Sequence, residues 1–195
     1  MTKFAEAFHA EFDDKSLGET IIMDMAVDET GPIGLSALKD YLDVCRSFVS
    51  AAKIWTFNAA ILDEDYIRGA VRLYRDAGVD VFAGGLLFEY AYSRQDIDGL
   101  CAHLKHVGIP GIEISENYAR LDDEGRLRMI ERLTSAGLNV ILEYGEKHPE
   151  EGSRPEDIVA FVEDFRNAGV GHILIEQGEI DALTPEDARS LLTRP

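Results

Sequence analysis

Four times along the chain the same punctuation returns. Asp76-Ala77-Gly78-Val79-Asp80-Val81-Phe82 is echoed by His106-Val107-Gly108-Ile109, by Ser135-Ala136-Gly137-Leu138-Asn139-Val140-Ile141, and by Asn167-Ala168-Gly169-Val170-Gly171-His172-Ile173. Gly78, Gly108, Gly137 and Gly169 are 30, 29 and 32 residues apart, and a fixed period of this length marks a repeated supersecondary unit. Each glycine closes a segment of helical periodicity and opens a short apolar run, the pattern of a helix C-cap followed by a buried strand. The helical stripes are Leu35, Leu38, Leu42, Cys45 and Val49; Tyr66, Ile67, Ala70, Val71 and Tyr74; Ile97, Leu100, Cys101 and Leu104; Leu127, Ile130 and Leu133; and Ile158, Val162 and Phe165. A short last helix is expected from Pro185 to Leu192. Strands are expected at Thr20–Met25, Ala51–Trp55, Val79–Ala83, Gly111–Ser115, Asn139–Tyr144 and His172–Gln177.

Strict alternation of strand and helix implies parallel pairing through right-handed crossovers, which leaves a barrel or an open doubly wound sheet. Five of the six strands carry a polar residue near the C-terminal end: Asp24, Lys53, Glu113 with Ser115, Glu143, and Glu176. In a parallel barrel those ends converge on one mouth, where catalytic groups collect. The first strand is followed by Asp24-Met25-Ala26-Val27-Asp28, with none of the glycines of a dinucleotide-binding turn. The fold class is therefore α/β, a TIM-type (β/α) barrel with six βα units. The 195 residues make one domain, with residues 1–19, where Phe4, Phe8 and Phe12 recur every fourth position, as an N-terminal helical plug.

Charge narrows the partners. Against 19 Lys and Arg stand 37 Asp and Glu, a net charge of -18, so a nucleic-acid backbone or an anionic membrane is repelled. No apolar run reaches the roughly 18 residues a membrane span needs. The N-terminus lacks the apolar core of a signal peptide, and Cys45 and Cys101 fall inside helical patterns without a CxxC, so a cytoplasmic protein with two reduced, packed thiols is expected.

Glu113, Glu143 and Glu176 hold matching places in successive units, each flanked by aliphatics. A carboxylate there is costly unless paired, protonated or on a metal. That leaves a structural ion-pair network or a hard-cation site, since carboxylates with water and substrate oxygens suit Mg²⁺. Lys53 is the one basic residue well inside a strand; it balances the glutamates, binds an anionic substrate or donates a proton. Gly84-Gly85 permits a turn and close approach to a ligand, and Glu146-Lys147-His148 follows the fifth strand. His103 and His106 lie off their helix's apolar stripe, on a wet surface.

Gly84-Gly85-Leu86-Leu87-Phe88-Glu89-Tyr90-Ala91-Tyr92-Ser93, followed by Glu113-Ile114-Ser115 and Glu143-Tyr144-Gly145-Glu146-Lys147, resembles the phosphosulfolactate synthase family of coenzyme M biosynthesis. The likeness runs from about Phe4 to Glu176. It implies a (β/α)₈ barrel that uses Mg²⁺ to add sulfite to phosphoenolpyruvate, although plant heat-stress-associated relatives carry no implied activity. Under this resemblance Asp24, Glu113 and Glu176 hold Mg²⁺, Lys53 and Glu143 are catalytic, and Gly84, Gly85, Ser115 and Lys147 bind a small anionic carboxylate. The family's Asp-Lys-Gly reads Asp24-Met25-Ala26 here, and its Gly-Trp-Gly-Thr-Ser reads Ile54-Trp55-Thr56-Phe57-Asn58. The arginine expected soon after Glu176 is absent from Gln177-Gly178-Glu179, so two cations that would hold phosphate or sulfonate are lost. The expected activity is a Mg²⁺-dependent lyase acting on phosphoenolpyruvate or a related carboxylate; the alternative is a non-catalytic barrel relative that works through a partner. Six strands leave two apolar edges, which points to a homo-oligomer, with a truncated chain or the N-terminal segment in the gap as rival solutions.

Overall fold

The computed structural model describes residues 2–3, 20–28, 31–145, 149 and 152–192. Six parallel strands, β1 (Ile21–Asp24), β2 (Ala51–Ile54), β3 (Asp80–Ala83), β4 (Gly111–Ile114), β5 (Asn139–Tyr144) and β6 (His172–Ile175), form one curled half-barrel in chain order. Helices α1 (Leu35–Cys45), α2 (Asn58–Ile61), α3 (Glu64–Asp76), α4 (Gly85–Ser93), α5 (Ile97–Val107), α6 (Asp123–Ser135), α7 (Pro155–Asn167), α8 (Gln177–Asp181) and α9 (Pro185–Leu192) connect and follow the strands. Each strand pairs only with its neighbours in sequence, so among the described residues β1 and β6 each have one free edge. At the β1 edge lies a largely apolar groove of about 870 Å³, lined by Ile22, Met23, Met25, Tyr41, Trp55 and Tyr66 among others. The N-terminal plug expected over residues 1–19, with Phe4, Phe8 and Phe12, lies outside the described residues apart from Thr2 and Lys3.

The repeating glycines do what their spacing implies. Gly78, Gly108, Gly137 and Gly169 have φ of 76°, 83°, 85° and 90°, left-handed values that cost a residue with a Cβ and that let each helix stop and the chain turn back into the sheet. The core then forms between sheet and helices. Ala52 and Ile54 of β2, Val81 and Ala83 of β3, Ile112 and Ile114 of β4, and Val140 and Leu142 of β5 all join one buried cluster with Leu38, Ile67, Tyr74, Leu104 and Leu133. Because side chains alternate along a strand, the residues between them, Lys53, Phe82, Glu113, Ile141 and Glu143, turn to the concave inner face. Leu127, expected in the α6 stripe, is exposed instead. The stretch after β3, read from sequence as a turn, is the helix α4 with Gly84 as its extended N-cap; Leu87, Phe88 and Ala91 are buried there, so its apolar residues do not form the single stripe that announces a helix. The chain past Ile175 likewise turns at once into α8 rather than extending the sixth strand to Gln177.

Candidate functional site

Register assembles the site. Lys53 pairs with Phe82 across β2 and β3, Glu113 with Ile141 across β4 and β5, and Glu143 with Leu174 across β5 and β6, which puts the three charged side chains on one face at the C-terminal end of the sheet. The Lys53 ammonium donates a hydrogen bond to Glu113 Oε1 at 2.8 Å and lies 2.7 Å from Oε2 and 3.9 Å from Glu143 Oε1. The Glu113 side chain is 2% exposed and that of Glu143 10%. Glu113 Oε2 touches the ammonium only electrostatically and accepts no directed hydrogen bond. Burial, then the charge of Glu113, push the Glu143 carboxyl up to about 8; Glu176, which shares a hydrogen bond with it, pushes the same way, and Lys53 pulls against them. The Lys53 ammonium therefore sits at hydrogen-bond distance from Glu113, while Glu143, farther from it, keeps its proton at neutral pH.

Asp24 is not part of this group. Met23, not Asp24, pairs with Lys53, and Asp24 pairs with Ile54, so its side chain turns to the helix layer. There Oδ1 accepts from the Ala26 amide at 2.9 Å and Oδ2 from the Tyr74 hydroxyl at 2.8 Å. Among the described residues no three His, Cys, Asp or Glu side chains converge as metal ligands, and the Lys53 ammonium occupies the position between Glu113 and Glu143 that a cation would take. The set Asp24, Glu113 and Glu176 expected for Mg²⁺ thus does not fit the metal as arranged.

The glycine pair serves packing against the site. A Cβ on Gly85 would lie 2.2 Å from Ser115 Oγ and 3.0 Å from Glu113 Oε1, and one on Gly84 would lie 3.1 Å from the Thr56 amide and 3.4 Å from Lys53 Cε. Ser115 is buried, and its hydroxyl donates to Glu89 Oε1 at 2.5 Å, so it is part of the wall of the site. Lys147 and His148 lie outside the described residues. His103 is half-buried with its ring on the Ala59 carbonyl at 2.8 Å, and His106 meets Glu64 at 2.9 Å on the surface. Thr56 and Ala26 adopt φ of 43° and 55°, left-handed conformations just past the ends of β2 and β1.

Sequence reasoning missed Glu89. This α4 carboxylate is 4% exposed. Its Oε1 accepts from Ser115 Oγ and from the backbone and side-chain nitrogens of Asn117, both at 3.0 Å, and its Oε2 from the amides of Tyr118 at 2.6 Å and Ala119 at 3.0 Å. Burial alone would raise its pKa, but these hydrogen bonds win and hold the carboxyl below the usual range. The signal available in sequence was a glutamate between Phe88 and Tyr90 with no basic residue within a helical turn.

A parallel half-barrel with an ammonium and acidic groups at the C-terminal strand ends defines an α/β enzyme of the TIM-barrel type, a fold shared by many chemistries. Residues 10–189 match the (2R)-phospho-3-sulfolactate synthase (ComA) family, and the chain belongs to that family of lyase-type enzymes. It is 28% identical over 176 residues to phosphosulfolactate synthase of Methanocaldococcus jannaschii, covering 89% of this chain and 68% of that protein. It is 26% identical over 164 residues to phosphosulfolactate synthase of Methanothermobacter thermautotrophicus, covering 83% and 61%. The chain thus spans about two thirds of the length of these relatives. Among solved structures, KGPDC from Streptococcus mutans superposes with a TM-score of 0.56 over 96% of this chain and 74% of its own at 12% identity. The carboxyl transferase domain of Rhizobium etli pyruvate carboxylase gives 0.53 over 87% and 31% at 11% identity. At such identities these two show the fold alone.

Proposed function

We propose that the protein is a lyase-type synthase that adds a nucleophile such as sulfite across the double bond of an enolpyruvyl or related carboxylate acceptor. The observation that carries this reading is Glu143, a buried carboxylic acid kept protonated to about pH 8 beside a cation. The nucleophile's lone pair forms the new bond to the terminal carbon, the double-bond electrons move to the carbon next to the acceptor's carboxylate, and that carbon takes the Glu143 proton. The negative charge that develops on the carboxylate is offset by the Lys53 ammonium, fixed in advance by Glu113. Mg²⁺ is not built into this arrangement of the described residues, and no step depends on it.

The six strands contain no Lys or Arg besides Lys53, and by the family resemblance Met25 and Gly178 stand at positions where cations would grip a phosphate. Phosphoenolpyruvate should therefore bind weakly, and a less charged unsaturated carboxylate better. Incubation with sulfite and phosphoenolpyruvate, or a phosphate-free unsaturated carboxylate, with and without Mg²⁺ and followed by ³¹P and ¹H NMR, tests this. Addition product formed by the protein and abolished by Glu143→Gln is the expected result; no product with any acceptor above the spontaneous rate would overturn it. We further propose that a second copy of the chain covers the open side between β1 and β6.

A further inference from the structure

Resting on that reading, we propose that the segment 115–121 between β4 and α6 is a preorganised recognition loop, in which Glu89 is a positioning residue and Tyr118 the side chain that contacts the acceptor. The loop leaves β4 two residues past Glu113, at the end of the sheet where Lys53 and Glu143 converge. Its backbone is tied from both sides. Glu89 takes the amides of Asn117, Tyr118 and Ala119 from below, and Glu116, itself held by Arg126, takes the Leu121 amide at 2.9 Å. Arg126 in turn lies 5.5 Å over the Phe161 ring of α7.

Burying a carboxylate to hold a surface turn is an expensive solution where an ordinary turn needs only local hydrogen bonds. It is warranted where the position of the loop matters. What the loop offers is a phenol: the Tyr118 side chain is the most exposed large hydrophobic one among the described residues, at 86%, although its own amide makes one of the shortest bonds to Glu89. A tied backbone beneath a free aromatic ring minimises the entropy lost when a ligand settles on it. The phenol also supplies a neutral hydrogen-bond donor for an anionic oxygen of the acceptor.

The experiment compares Tyr118→Phe, Tyr118→Ala and Glu89→Gln with the wild type, titrating phosphoenolpyruvate and a phosphate-free unsaturated carboxylate. Binding is read by isothermal titration calorimetry, and turnover from KM and kcat with sulfite. Loss of the hydroxyl in Tyr118→Phe should raise Kd and KM roughly tenfold with kcat little changed and Tm unmoved. Tyr118→Ala should do at least as much at the same Tm, whereas Glu89→Gln should raise KM and lower Tm together. If the wild type binds an acceptor and Tyr118→Ala binds it equally well, this inference alone is overturned. Binding without turnover would remove the proposed activity while the Kd comparison still decides the role of Tyr118. A wild type that neither binds nor converts any acceptor overturns both.

Discussion

Replacing Lys53 by methionine removes the one cation that, among the described residues, is paired with the buried carboxyl groups of Glu113 and Glu143, and leaves the aliphatic stem nearly unchanged. The ammonium lies 2.7 to 2.8 Å from both oxygens of a Glu113 side chain that is 2% exposed, so the loss resembles breaking a buried ion pair, about 3–5 kcal/mol. For a chain of this size each kcal/mol moves Tm by roughly 2–4 °C, so a drop of the order of 6–20 °C is expected. Glu113→Gln alone should cost less, about 1–3 kcal/mol, because Glu143 still stands 3.9 Å from the ammonium. The informative measurement is the double variant Lys53→Met/Glu113→Gln, followed by urea unfolding at pH 7. With both charges gone it should be more stable than the sum of the single losses by at least about 2 kcal/mol. Additivity of the two losses to within about 0.5 kcal/mol would refute the view that Glu113 fixes Lys53 in place for the acceptor.

Three further outcomes can be checked independently. Gly85→Ala forces a methyl to within 2.5 Å of Ser115 Cβ, and since Glu89 pins that serine the wall must shift, costing about 1–3 kcal/mol by calorimetry; a Gly34→Ala control, with nothing within 4 Å of its added Cβ, should stay near wild type. Glu143 titrates at about 8 in the folded state against 4.5 when unfolded, so the native state binds a proton the unfolded chain has released. Its contribution is full below pH 4.5 and is lost as pH rises through about 8, giving stability that falls by an order of a few kcal/mol across that window; Glu143→Gln should flatten the slope, and an unchanged slope would count against the raised pKa. Sedimentation at micromolar concentration should reveal an assembly larger than 21.6 kDa, and a monomer throughout would dismiss the second copy at the open side.

The architecture was legible in sequence because its signals are local. A glycine after each of four helices and an apolar run after each glycine are readable within ten residues, and Gly78 through Gly169 placed four of the six strands to within two residues. Lys53, Glu113 and Glu143 were legible for the same reason, being charged residues inside apolar runs. Asp24 misled because facing depends on register: one position along β1 separates the inner face, where Met23 stands, from the helix layer, where Asp24 meets Tyr74, and no register is visible before strands are paired. Glu89 escaped because its partners lie 26 to 30 residues further on, beyond any local pattern. Ser115 and Gly85 were noticed, but their contact with each other became visible only in three dimensions.

The order of strands across the sheet, identical to their order in the chain, has a consequence for how the molecule comes apart. Every pairing closes a loop of only one βα unit, and each unit touches chiefly the units before and after it, as in a linear array whose stability is a sum of unit and junction terms. Such an array loosens from its ends. Amide exchange should be slowest in β3 and β4 and progressively faster toward β1 and β6, so that Glu113 sits on the last strand to open while Glu143 and Lys53 each lie one junction nearer to an end. The polar cluster that joins β2, β4 and β5 is then also a clasp across junctions, tying together units that the backbone ladder alone would let open one at a time.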